Sequence, residues 1–448
     1  MATAALDLND AALTLAAGGR VLAVEPGFAA ASGELGTAAR LAAGASSRHW
    51  RDLDDAPLAK PLGAWRAAAD IVHAQLARFR ALLPPGCEAV VAAVPSGWST
   101  RQLGLFLGIA RDAGLPLAGL VDAAVAASRR PAPGRELWHL ELTLHDAGLT
   151  RIGQEDGARR DSWQRLDGLS LQALERACVR VISAAFLRES RFDPCHDAAS
   201  ERQLREKLPG WLEALRGRRQ LACTIDFRGS GFRAVLDAAE LHAALAQAGE
   251  PLVQRLRAQL PAGAGAVLQL PDQLAGYPGL PEALARLPGW QVIVLEPGAA
   301  ALGALRLAPA AGTGPLVLVT HLPWDGPALE LPADAGVMAA AALPTHLCFG
   351  ERAFRLDDGP FRIGAELADG DYGLRLPGAL QGVSRRHCSL GLEGGRLLLH
   401  DHSRYGTRLN GVRIEGAAVL HAGDRIQIGE PPLELRLVAE EGRHGTAT

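Results

Sequence analysis

Lysine is nearly absent from this chain. Lys60 and Lys207 are the only two, so arginine carries the basic charge, and the first 59 residues have no ammonium to offer a phosphate. Neither sign of charge is in excess: the net charge of −3 gives no basis for a nucleic-acid or acidic-membrane partner. There is no Cys-x-x-Cys pair. The scattered Cys87, Cys178, Cys195, Cys223, Cys348 and Cys388 are expected to be buried free thiols of a reducing cytoplasm, not a zinc or disulfide framework. No apolar run reaches the ~18 residues of a membrane helix, and residues 1–10 lack the basic start and apolar stretch of a signal peptide. A cytoplasmic location is the expectation, with no membrane insertion.

What is present is a globular composition, 48% hydrophobic and 21% charged over 448 residues, which calls for two or three domains. The bias toward Ala, Gly, Arg and Leu reads as a GC-rich bacterial genome. Residues 2–308 alternate strand-like and helix-like segments, which argues α/β layers. A strand meander fits 4–8, 13–15 and 20–24, with Gly18-Gly19 as a turn. Apolar residues at helical spacing predict a helix over 64–83, stopped by Pro84-Pro85-Gly86. A buried strand at 89–94 then leads to a helix over 99–113, for which Ser99 is a natural N-cap. An inserted subdomain is expected at about 160–260, with helices at 237–249 and 251–260. Residues 309–343, rich in Pro, Gly and Ala, read as a linker in which 316–320 could still add a strand. Gly312-Thr-Gly314 inside it lacks the lysine and strand–loop–helix context of a phosphate loop. Beyond Pro344 helical periodicity gives way to short strands with Gly-rich turns, as in a sandwich.

The C-terminal region carries specific motifs in order. They are Phe361-Arg-Ile-Gly364, Val383-Ser-Arg-Arg-His387, Ser403-Arg-Tyr-Gly-Thr407, Leu409-Asn-Gly411 and Ala422-Gly-Asp-Arg-Ile-Gln-Ile-Gly429. Together they resemble the forkhead-associated (FHA) family over residues 344–441, with 442–448 as a tail. The resemblance implies an all-β sandwich that binds a protein partner phosphorylated on Ser or Thr, with phosphothreonine the usual ligand. It implies a partner-binding set of Ser384, Arg385, Arg404, Tyr405, Thr407 and Asn410. Gly364, His387, Gly406 and Gly411 would shape the loops. Three family positions depart from pattern, the first being the phosphate-gripping arginine after Ile-Gly, which is Ala365 here. Arg404 and Tyr405 stand where the family has Thr/Ser and Asn. Arg385 and Arg404 are candidates to restore the charge. Phosphopeptide recognition through such a rearranged set, phosphate-independent docking and a structural role are all compatible with these residues.

The first 308 residues resemble the actin-like ATPase domain of DnaK-type heat-shock chaperones, a two-lobed, ribonuclease H-like α/β fold. The order of Ala5-Leu-Asp-Leu-Asn9, Val91-Ala-Ala-Val-Pro95, Gly108 to Leu115, Val121-Asp-Ala-Ala-Val-Ala126, Tyr277-Pro-Gly-Leu-Pro281 and Glu296-Pro-Gly-Ala-Ala-Ala-Leu302 carries the resemblance. The family's phosphate loops need glycine, so that backbone N–H groups can approach phosphate. Here the first loop reads Asn9-Asp10-Ala11-Ala12, the second Asp146-Ala-Gly-Leu-Thr150, and the adenosine segment Leu270-Pro-Asp-Gln-Leu274. Asp7, Asn9, Asp146 and Gly148 are therefore read as a degenerate nucleotide site. Asp7 or Asp146 could hold a hydrated Mg²⁺, and Glu141 or His145 could position a water; the plainer readings are strand-end carboxylates for the first two and a solvent-facing pair on a half-buried strand for Glu141 and His145. Ser96-Gly97 lacks the elbow pattern of a hydrolase nucleophile. The expectation is a non-enzymatic scaffold or adaptor with no cofactor and no metal. The alternative is a divergent ATP- and Mg²⁺-dependent chaperone-like protein.

Overall fold

The computed structural model describes residues 2–260, 265–309, 316–331 and 344–438, apart from 351, 357–358, 369, 377–380, 394–395, 410–411, 415 and 421–423. The chain divides into two compact units, Met1–Arg257 with Gly265–Ala333, and Ala258–Ala264 with Asp334–Thr448.

The first unit is mixed α/β and contains the same strand arrangement twice. β1 (Ala2–Asp7), β2 (Leu13–Ala17) and β3 (Arg20–Glu25) form an antiparallel meander. β4 (Cys87–Val94) lies parallel to β1, and β5 (Leu117–Asp122) lies parallel to β4. In the second sheet β6 (Glu136–Leu142), β7 (Ala147–Gly153) and β8 (Ala158–Arg165) repeat the meander. β9 (Ala266–Leu270) and β10 (Trp290–Val294) again follow in parallel on β6. Six of the eight residues of β4 are fully apolar and buried, as a central parallel strand covered on both faces requires. Helix Ala123–Ala127 follows β5 and helix Ala299–Ala304 follows β10; the two pack together so closely that a Cβ at Gly303 would collide with the Ala126 carbonyl. One core takes Ala5, Val91 and Val121 from the first sheet and Leu137, Ile152 and Val267 from the second.

Several expectations are corrected. Residues 316–331 are bonded into the first unit, which shortens the expected linker: Leu318–Val319 pairs with β5 and His321–Leu322 with β8, because Leu318 and the buried Leu322 complete apolar clusters. Gly312-Thr-Gly314 lies outside the described residues. The helix expected over 64–83 begins at Ala68, since Trp65–Ala67 pairs with Pro57–Leu62 as a strand. Helix Ala238–Gln259 runs on through Pro251, where two helices were expected. Ala158–Arg165, inside the expected insertion, is a strand of the main sheet; helices Leu171–Ser190 and Ala198–Leu215, a hairpin and the long helix follow it. Among the thiols, Cys195 is exposed and Cys87 and Cys348 are half-buried. Among the described residues no helix is long and apolar enough to cross a membrane.

The second unit is a sandwich of a six-stranded and a five-stranded sheet. The latter contains β11 (Phe361–Gly364), β12 (Gly373–Arg375), β13 (Cys388–Glu393) and β14 (Arg396–Asp401). Phe361, Ile363, Leu390 and Leu399 meet Leu347, Ile426, Ile428, Leu435 and Leu437 in its core.

Candidate functional site

In the first unit the ends of β1 and β6 come together. Asp7 pairs with Thr14 across its hairpin and Glu141 with Gly148 across the equivalent one, so Glu141 is the register counterpart of Asp7. The loop motif Asp146-Ala-Gly-Leu-Thr150 predicts Asp146 in that place. Asp146 lies in the turn instead, with its carboxylate held by Arg51 at 2.8 Å and Arg165 at 2.9 Å. The two loops bond to each other: Asn9 Nδ2 donates to Leu142 O at 3.1 Å, and Leu144 N to Asp10 Oδ1 at 2.7 Å. Ser96 N donates to Glu141 Oε2 at 3.2 Å, while Ser96 Oγ and Arg160 both donate to Asp122, the N-cap of helix Ala123–Ala127. His145 is held by Ser47 at 3.0 Å.

These carboxyls are buried, and burial raises Asp7 and Asp10 to about 7 and Glu141 to about 8. Trp163 of β8 lies against Gly148 of β7 and Gly97 after β4: its indole occupies the place a Cβ at either would take, and it lines the cavity beside Asp10 and Asp146. The four expected nucleotide residues are split. Asp146 and Gly148 line a cavity of about 250 Å³ with Asp10, while Asp7 and Asn9 line one of about 40 Å³; Glu141 borders both. Both fall below the ~300–1,000 Å³ usual for small-molecule sites. Among the described residues no His/Cys/Asp/Glu group is arranged to hold a metal. Trp163 was missed because β8 is mostly polar and shows no apolar alternation.

In the second unit the loops after β11, before β13 and after β14 form one surface. Ala365 N donates to Ser384 O at 3.1 Å and Glu366 N to Arg385 O at 3.0 Å. Gly364 is required there because a Cβ would collide with the Arg385 carbonyl. His387 is buried; burial lowers its imidazole below the usual range, and Nδ1 accepts from Ser384 N at 3.1 Å. Ser384 Oγ in turn accepts from Arg404 N at 3.1 Å, joining two loops. Asp401 anchors the last of them. Burial alone would raise its carboxyl, but bonds from Ser403 and Thr407 hold it below the usual range.

Arg385, Arg404 and Tyr405 are exposed around Ser384, with the Arg404 guanidinium 6.0 Å from the Tyr405 ring centroid. Thr407, expected among the partner-binding residues, is fully buried and its hydroxyl is bonded to Asp401 at 2.9 Å; it shapes the loop. Gly406 has φ +92° and lies against the Arg413 guanidinium. Asn410 and Gly411 lie outside the described residues.

Residues 361–429 match the family model of the FHA domain. The second unit carries an FHA domain. A search of curated protein sequences found no match to the chain. The FHA domain is a protein-interaction module, and its partners are commonly phosphorylated.

Proposed function

We propose that this chain is a non-enzymatic adaptor in which an actin-like unit without nucleotide chemistry carries an FHA domain that recognises a phosphothreonine-bearing protein. The observation that carries the reading is the contrast of charge. The half-buried Ser384, whose hydroxyl keeps its proton to donate, stands with the exposed Arg385 and Arg404 on one loop surface. The first unit instead has Asp7, Asp10 and Glu141 buried at its loops, with Trp163 packed on Gly97 and Gly148. The doubled order of an antiparallel meander followed by two parallel strands supports the actin-like assignment. The first loop has no glycine and the second only Gly148, which lies against the Trp163 indole, so neither offers a cradle of N–H groups, and buried carboxyls oppose a triphosphate. The experiment is a pull-down with the full chain from bacterial lysate, with and without phosphatase. Capture that phosphatase abolishes is expected. Capture indifferent to phosphatase replaces phosphopeptide recognition with phosphate-independent docking.

A further inference from the structure

The family's phosphate-gripping arginine is Ala365 in this chain, and we propose that Arg375 of the neighbouring strand supplies the guanidinium in its place. This rests on the phosphopeptide reading above and names the residue that gives that site its charge.

The geometry runs through the backbone. β12 lies parallel to β11, with Arg375 opposite Gly364, so Arg375 stands beside the residue that precedes the vacated position. Its Nε donates to the Ala365 carbonyl at 3.2 Å, which ties the root of the guanidinium to Ala365 itself. Ala365 N is bonded to Ser384 O, so the same short strand end links Arg375 to the loop bearing the Ser384 hydroxyl. The methyl side chain of Ala365 has no polar atom to offer a phosphate, so the charge has to come from a neighbour. A guanidinium anchored through Nε keeps both terminal nitrogens for a bidentate phosphate.

The acid nearest in the loop before β12 is occupied. Asp371, the acid on the adjoining loop, is bonded to Arg362 at 2.9 Å through Oδ1 and to Ala368 N through Oδ2. Arg375 is exposed and makes no ion pair among the described residues. Arg404 is differently placed: its backbone N–H is bonded to Ser384 and its guanidinium lies near the Tyr405 ring. Arg385 is exposed, with its carbonyl bonded to Glu366 N. Among these three arginines only Arg375 is fixed by its own side chain at Ala365.

The test measures binding of the full chain to a peptide pool with fixed phosphothreonine and random flanks, beside the same pool unphosphorylated. Wild type is expected to prefer the phosphorylated pool. Arg375→Ala and Arg375→Gln should each weaken that binding by roughly tenfold or more, as loss of a charge-assisted bond implies. Arg375→Lys should weaken it less, and Ala365→Arg added to Arg375→Ala should restore it. An unchanged second thermal transition shows that the variants remain folded. Should wild type show no preference, the phosphopeptide reading fails and this proposal with it. Should wild type prefer phosphopeptide while both Arg375 variants bind within twofold of it, the proposal alone is overturned.

Discussion

The first unit turns its polar strand ends inward, and the second turns them out. At the ends of β1 and β6 the carboxyls of Asp7, Asp10 and Glu141 are all under a tenth exposed, tied to backbone N–H groups, and raised by burial to about 7 for the aspartates and 8 for Glu141. At the loops of the sandwich the backbone is equally well bonded, yet Arg375, Arg385 and Arg404 remain in solvent. Burial of a polar group is tolerable when hydrogen bonds satisfy it, but a group so spent is not available to a ligand. The contrast teaches where recognition can reside.

Close backbone approach offers the sharpest way to separate the two regions. Gly303→Ala would force a Cβ into the Ala126 carbonyl of the first unit, and Gly364→Ala one into the Arg385 carbonyl of the second. Each should cost about 3 kcal/mol, at the upper end for overpacking. Calorimetric scans should show each variant lowering a different thermal transition. A single transition lowered by both would mean that the two units do not unfold separately.

Trp163→Ala tests the filled cleft. The indole is half-buried, so a loss of about 1–3 kcal/mol is expected, less than for a fully buried tryptophan. Even with this space open, calorimetric titration with Mg-ATP should give no binding, because the first loop still has no glycine and the second only Gly148. Binding in the variant alone would identify Trp163 as the block and the loops as competent.

The pH dependence should differ between the units. Asp7, Asp10 and Glu141 have folded values raised above their unfolded ones, so the stability they confer is complete below about 4 and is lost as pH rises toward 7 for the aspartates and 8 for Glu141. Burial lowers His49 and His139 to about 4, which opposes this trend below the usual histidine range of about 6.5. The clean window is therefore pH 6.5–8. There the first transition should fall with rising pH, by up to about 1.4 kcal/mol per unit for each group, and the second should stay nearly level. Asp7→Asn with Glu141→Gln should flatten the first curve. A first transition that rises over this window contradicts the burial argument.

The smallest effect concerns Glu366, exposed beside Ala365. Removing its charge as Glu366→Gln should tighten phosphopeptide binding by about 0.2–1 kcal/mol, the range for exposed charge pairs, as measured by fluorescence polarisation. Weaker binding would give Glu366 a favourable contact instead.

Much of this was legible in the sequence. The meander over β1–β3 and the N-cap Ser99 followed from period and turn chemistry. The FHA motifs also named the loop that carries Ser384 and Arg385. Less local features were hidden. β8 is polar along most of its length, so Trp163 gave no sign of reaching across to Gly97 and Gly148. The equivalence of Glu141 with Asp7 depends on hairpin register, which the nearby Asp146 obscured. Thr407 read as a contact residue because its burial under Asp401 is a tertiary fact. Arg375 escaped notice for a similar reason: its parallel pairing with Gly364 joins residues eleven apart through a loop.

The most direct test of the account is a thermal scan of the full chain with Mg-ATP, and separately with the phosphothreonine peptide pool. A ligand that binds the folded state raises the midpoint of the unit holding it. The account predicts that the peptide pool raises the transition sensitive to Gly364→Ala and that Mg-ATP moves neither. A Mg-ATP-dependent rise in the transition sensitive to Gly303→Ala would contradict it and restore nucleotide chemistry to the first unit.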